Sequence, residues 1–203
     1  MSTTRLEAFS DGVVAILITI MVLELRPPHD ASFEALRPVL PTFLSYVLSF
    51  VFLAIYWNNH HHMLHLTSRV TGGILWANIH LLFWLSLVPF ATAWLGENHT
   101  AAAPTATYGI VLAFAGLAYT MLQRTIIASQ GRHSKLAAAI GRDRKGKLSL
   151  ALYLSAIPLA FVRPGISDAI YATVAAIWLV PDRRIEQRLA EHGEPSVPEH
   201  THA

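Results

Sequence analysis

The chain of 203 residues is 53% hydrophobic and only 14% charged, against about 25% charged in a soluble domain, which excludes an ordinary soluble protein and points to an integral membrane one. Its lack of cysteine excludes a disulfide framework, a thiolate metal site and a cysteine nucleophile. The formal net charge of +2 is small and the bases gather in particular loops, so charge reports topology rather than a nucleic-acid partner.

Crossing about 30 Å of hydrocarbon takes roughly 20 apolar residues, and six segments are candidates. The first, residues 6–25, shows no signal-peptide pattern, because a single Arg5 precedes it and Asp11 interrupts its apolar run. It carries Ser10, Asp11, Thr19 and Glu24. Ionisable groups at membrane depth persist when they pair inside a bundle or line a watery path. Helical spacing puts Gly12, Ile16, Thr19, Ile20 and Leu23 on one narrow face, and Asp11 on another. Arg26-Pro27-Pro28 ends this helix, and a polar link follows over residues 29–37.

The second segment, residues 38–57, has prolines near its start, where a helix tolerates them. The third, residues 73–95, contains Pro89, which predicts a kink. The fourth, residues 104–127, contains Gly109 and Gly116, which allow close helix contact. Residues 128–147 set Arg132, Lys135, Arg142, Arg144, Lys145 and Lys147 against one acid, Asp143. The fifth segment, residues 148–162, is short and holds Pro158. Arg163-Pro164-Gly165 turns it into the sixth, residues 166–180. The basic loop belongs in the cytoplasm by the positive-inside rule, and an even number of spans puts both termini there. Arg69 and the tail bases Arg183, Arg184 and Arg188 agree with that orientation. The expected division is a membrane domain over residues 1–182 and a partly disordered cytoplasmic tail over 183–203. Trp76, Trp84, Trp94 and Trp178 supply interfacial anchors.

Three motifs occur in order along the first half of the chain. Arg5, Phe9, Ser10 and Asp11 spell R-x-x-x-F-S-D, followed by Gly12-Val13, Ala15-Ile16 and Thr19. Trp57, His60 and His61 give W-x-x-H-H at the end of the second segment. Asn78, Leu82, Phe83, Pro89 and Phe90 give N…LF…PF in the third. In these the chain resembles the transmembrane protein 175 family, the potassium channels of bacterial cell membranes and animal lysosomes. The resemblance implies an all-α, multi-pass protein of the cell membrane. Each subunit has six transmembrane helices, both termini are cytoplasmic, and the pore-forming assembly is a homotetramer. It also implies passive, potassium-preferring conduction through a pore lined by the first helix. Ile16 stands at the family's constriction, Ile20 and Leu23 lie one and two turns further outward, and Thr19 lies beside the permeant ion. No cofactor is expected beyond permeant potassium ions, and the expected partners are membrane lipids and further copies of the chain. Animal members carry two copies of such a unit, and no internal repeat is visible here, as in the bacterial ones. Nothing resembles the T-V-G-Y-G carbonyl filter, so selectivity falls to the constriction and the hydroxyls.

Each feature also has a plainer reading. Ile16, Ile20 and Leu23 are either core packing or a pore lining. The Thr19 hydroxyl either bonds back to the i−4 carbonyl or joins a ring of hydroxyls around an ion. Arg5 and Asp11, six apart, share no helix face. Each is therefore expected to bond to neighbouring helices, with Trp57, His60, His61, Asn78 and His80 as candidates and Phe9 packing at the same level. The result is a polar clasp that fixes the first helix against the second and third. His61 and His65 are spaced as zinc ligands on a helix, although no H-E-x-x-H glutamate accompanies them. Glu24 either attracts cations at the outer mouth or pairs with Arg26, and the basic loop either sets topology or also binds anionic headgroups. Two other functional classes compete. One is a His-dependent intramembrane metalloenzyme built on His60, His61, His65 and His80. The other is a cation-coupled secondary transporter using Asp11, against which stand the absent repeat and the position of Asp11 near a helix end.

Overall fold

The computed structural model describes residues 2–131, 134–140 and 143–179, with the side chains of 135, 139 and 140 outside the description. The expected tail over 183–203, with Arg183, Arg184 and Arg188, lies outside the described residues, as do Arg132, Arg142 and the Lys135 side chain. Every described element is helical: α1 Thr3–Leu23, a 3₁₀ helix Phe33–Val39, α2 Leu40–His65, α3 Gly72–Ser86, α4 Val88–Glu97, α5 Ala102–Gln130, α6 Lys135–Ile140, α7 Arg144–Ala160 and α8 Pro164–Leu179.

Local chemistry sets the ends. The Ser2 hydroxyl accepts the Arg5 amide at 3.4 Å, and the Thr71 hydroxyl accepts the Ile74 amide at 3.4 Å, which caps α1 and α3. Asp143 accepts the Gly146 amide at 2.9 Å and opens α7 inside the basic segment. At the end of α5, Gly131 adopts φ +89 and its amide closes on the Ile127 carbonyl at 2.9 Å. That backbone region is open to glycine without a steric penalty.

Among the described residues, four segments are long and apolar enough to cross a membrane: Thr3–Leu23, Phe33–His65, Gly72–Glu97 and Ala102–Gln130. The third expected segment is two helices, α3 and α4, divided at Leu87. Pro89 lacks an amide hydrogen for the Leu85 carbonyl, so the ladder breaks there instead of only bending. The link over 29–37 holds a 3₁₀ helix, and the basic loop holds α6; neither was expected. With 17 and 16 residues, α7 and α8 rise only about 24–26 Å.

The bundle is built around α5, which packs against α3, α4, α7 and α8, while α2 lies on α4 and α1 closes over α2, α3 and α4. Gly109 is a point of close approach between α5 and α8, because the Tyr171 hydroxyl fills the place of a side chain there. That hydroxyl donates to the Thr105 carbonyl at 3.0 Å. Gly116 was expected to serve the same purpose, but a methyl on it meets only the Tyr56 hydroxyl, at an ordinary 3.7 Å. Polar groups in the core satisfy one another. Thr92 donates to Ser49 at 2.6 Å, and the Ser49 and Tyr108 hydroxyls bond at 2.8 Å. At the other end of the bundle the Trp178 indole donates to Ser149 at 2.8 Å and lies under Lys145, so α8 is tied to the start of α7.

Candidate functional site

The two sides of α1 differ. Leu6, Ser10, Val14, Leu17 and Met21, spaced by threes and fours, form its buried side. On the other side Phe9 is 54% exposed, Ile16 58%, Ile20 42% and Leu23 79%, with Gly12 and Thr19 between them. Apart from the backbone of α1 itself and the two chain neighbours, no atom of the described residues lies within 4 Å of where a Gly12 side chain would begin. A long apolar stripe on an otherwise packed helix is thus left uncovered by the other described residues. The Thr19 hydroxyl donates to the Ile16 carbonyl at 2.8 Å, one residue nearer than the i−4 partner expected. Its proton is used, and its oxygen keeps lone pairs for an outside ligand.

A buried polar chain holds the packed side. Ser10 donates to the Leu6 carbonyl at 2.9 Å, and the Asn78 amide donates to Ser10 at 3.0 Å. His60 Nε2 meets Asn78 Oδ1 at 2.7 Å. An amide oxygen only accepts, so His60 carries its proton on Nε2. Ser10, Asn78 and His60 are 1%, 0% and 5% exposed, and this one chain ties α1, α2 and α3 together.

Beside it run two contacts between α1 and α2. The Trp57 indole donates to Asp11 Oδ1 at 3.0 Å, and His61 Nδ1 meets Glu7 Oε1 at 2.6 Å. Glu7 escaped the sequence reading. Its signal was there: it stands one turn before Asp11, as Trp57 stands one turn before His61, and antiparallel helices pair such turns. The structure brings together Ser10, Asp11, Trp57, His60, His61 and Asn78, but neither Arg5 nor Phe9. Both are exposed on the side of the stripe, and Arg5 makes no side-chain bond to any described residue. Six residues of helix turn Arg5 about 240° from Asp11, so the two belong to different surfaces. His80 also stays outside, accepting from the Trp84 indole at 3.0 Å within α3. The rings of Trp57, His61 and His65 stack along α2, and among the described residues no three histidines or acids converge to hold a metal ion.

Residues 5–89 match the family described as endosomal/lysosomal potassium channel TMEM175. The chain is 52% identical over 192 residues to a potassium channel of Chryseobacterium sp. (strain P1-3), covering 95% of this chain and 100% of that one. It is 33% identical over 189 residues to a potassium channel of Streptomyces collinus (strain DSM 40733 / Tue 365), covering 86% and 90%. Among solved structures, the crystal structure of a lysosomal potassium-selective channel TMEM175 homolog from Chamaesiphon minutus superposes with a TM-score of 0.74. It is 28% identical and covers 90% of this chain and 97% of that one.

Proposed function

Because the chain belongs to the TMEM175 family of membrane channels, we propose that it conducts potassium ions passively through a central pore lined by α1. The observation that carries this reading is the uncovered stripe Phe9, Gly12, Ile16, Thr19, Ile20 and Leu23, opposite a fully packed side of the same helix. A single helix cannot enclose a pore, and a closed cyclic ring of identical subunits can. A homotetramer turns the stripe into stacked layers around an axis, with Ile16 as the constriction and Ile20 and Leu23 as further apolar layers. Four isoleucines around a narrow axis exclude water and gate by dewetting. The Thr19 ring offers oxygen lone pairs to a dehydrating potassium ion. Each subunit would span a cell membrane six times, with α7 and α8 as the short last spans and both termini cytoplasmic. Arg5, on the stripe side, would find its partner in a neighbouring copy.

Parallel liposome flux measurements on Ile16→Asn and Ile18→Asn test this reading. Ile16→Asn should raise potassium flux and lower discrimination against sodium. Ile18, partly buried against the core, should alter stability instead. Unchanged flux and selectivity in assembled Ile16→Asn protein would exclude Ile16 from the pore. Flux that saturates at carrier rates would favour a transporter.

A further inference from the structure

We propose that the cleft at the base-rich end of α5 holds the headgroup of an anionic phospholipid, with Arg124 on its phosphate and an acyl chain lying on the apolar surface shared by α3 and α5.

The cleft is built on one face of α5. Arg124, Ile127, Ala128 and Gly131, spaced by threes and fours, line a volume of about 440 Å³. That size falls within the range of small-molecule sites. Ala128 and Gly131 are too small to fill it, and Arg124 is the only charged residue of the whole helix. Two contacts fix how α5 lies along α3. Trp84 stacks on Phe114 with ring centroids 4.4 Å apart, and a side chain on Gly73 would begin 3.5 Å from the Thr125 methyl. The start of α3 therefore stands at the level of Arg124.

Depth places this level at a bilayer surface. From Ala102, α5 rises about 33 Å to Arg124, close to the roughly 30 Å of hydrocarbon in a bilayer. Over that rise the outward side of α5 is apolar, with Phe114, Leu117 and Met121 exposed. On α3, Trp76 and Phe83 are exposed at matching levels. Trp76 lies one turn into α3, where a membrane interface favours an amphipathic ring. An acyl chain thus has a continuous apolar surface leading away from the guanidinium.

Charge selects the headgroup. At this end Arg69, Arg124, Arg144 and Lys147 are exposed and pair with no described acid. The described acids there are already engaged: Asp143 caps α7, and Glu7 meets His61. Gln130, next to Gly131, holds a buried side-chain nitrogen with no acceptor among the described residues. Unmatched donors of this kind suit an anion with several oxygens, and a planar guanidinium matches a phosphate with two parallel bonds. A zwitterionic headgroup brings a cationic group that the surrounding bases repel, and an anionic one does not. Lipid binding at this cleft is independent of which helix lines the pore.

The test is native mass spectrometry of the full-length protein, titrated in neutral detergent with phosphatidylglycerol and, for comparison, phosphatidylcholine. Phosphatidylglycerol should bind in preference. Arg124→Gln should weaken its binding about tenfold, the effect of losing one charge-assisted contact. Arg124→Lys, which keeps the charge without the fork, should retain part of the affinity. Ala128→Leu, which fills the cleft and leaves every charge in place, should weaken binding as well. Arg163→Gln, in the turn between α7 and α8 at the opposite end, should change nothing. Equal binding of the two lipids overturns the site. An equal loss in Arg144→Gln and Lys147→Gln, with Ala128→Leu unaffected, overturns it in favour of diffuse surface charge. Displacement by inorganic phosphate at the concentrations where the lipid binds overturns it in favour of a soluble anion. Arg124→Gln protein that separates into single chains while keeping the lipid preference assigns the cleft to a contact between copies and overturns it too.

Discussion

Asn78 has no exposed surface, and both ends of its side chain are used: the oxygen accepts from His60 on α2 and the amide donates to Ser10 on α1. Removing it strands the His60 N–H inside the bundle. An unpaired buried donor costs about 1–3 kcal/mol. Asn78→Leu is therefore expected to lower the stability by about 1–3 kcal/mol and with it the yield of assembled protein, read by size exclusion after heating. Asp11→Ala removes the acceptor of a Trp57 side chain that is 44% exposed, where water takes over part of the bond. It should cost less, and should harm assembly more than ion preference. Asp11→Ala protein with full assembly and altered preference would assign Asp11 to the ion path instead of the clasp.

The helices meet through a few close approaches, and these separate two glycines that look alike in sequence. A methyl on Gly109 would overlap the Tyr171 hydroxyl, which is also anchored to Thr105 and cannot retreat without losing that bond. A methyl on Gly116 meets only ordinary contact distance. Gly109→Ala should destabilise the protein by about 1–3 kcal/mol, and Gly116→Ala, in the helix interior with room for the methyl, should stabilise it by about 0.5–1 kcal/mol. Thermal melts of the two purified variants side by side measure the difference. On α1, sequence periodicity identified the stripe, because three- and four-residue spacing is a local property of the helix. It did not identify Glu7, whose partner is 54 residues away and is reached only when α1 and α2 lie antiparallel.

At the scale of the assembly, the natural absence of cysteine makes a clean test available. In the proposed ring with α1 innermost, a cysteine at Ile16 would come near its equivalents in other copies. One at Ile18, turned into its own subunit, would not. Disulfides need Cα atoms within about 7 Å. Oxidised Ile16→Cys protein in membranes should run as a covalent dimer on non-reducing gels, and Ile18→Cys should remain a single chain. A dimer formed only by Ile18→Cys would turn α1 around and refute the ring with α1 innermost.

The family, the helical class and the first four membrane-length segments were legible in the residues themselves. Apolar length, helical periodicity and the three motifs are local, and hydrocarbon thickness sets the scale against which they are read. The polar clasp was legible as a set of residue types but not as a set of pairs. Arg5 and Asp11 lie in one short motif, yet helix geometry turns them to different surfaces, and only packing against α2 and α3 decided that Asp11 and Ser10 face inward while Arg5 does not. The break at Leu87 was half legible: Pro89 announces a missing hydrogen bond, but whether a helix bends or divides depends on how its neighbours pack around the freed carbonyl. That the tight contact falls at Gly109 and not at Gly116, with Tyr171 as the partner, and that Glu7 pairs with His61, belonged to tertiary structure alone, because each joins residues far apart in the chain whose meeting depends on how whole helices are placed.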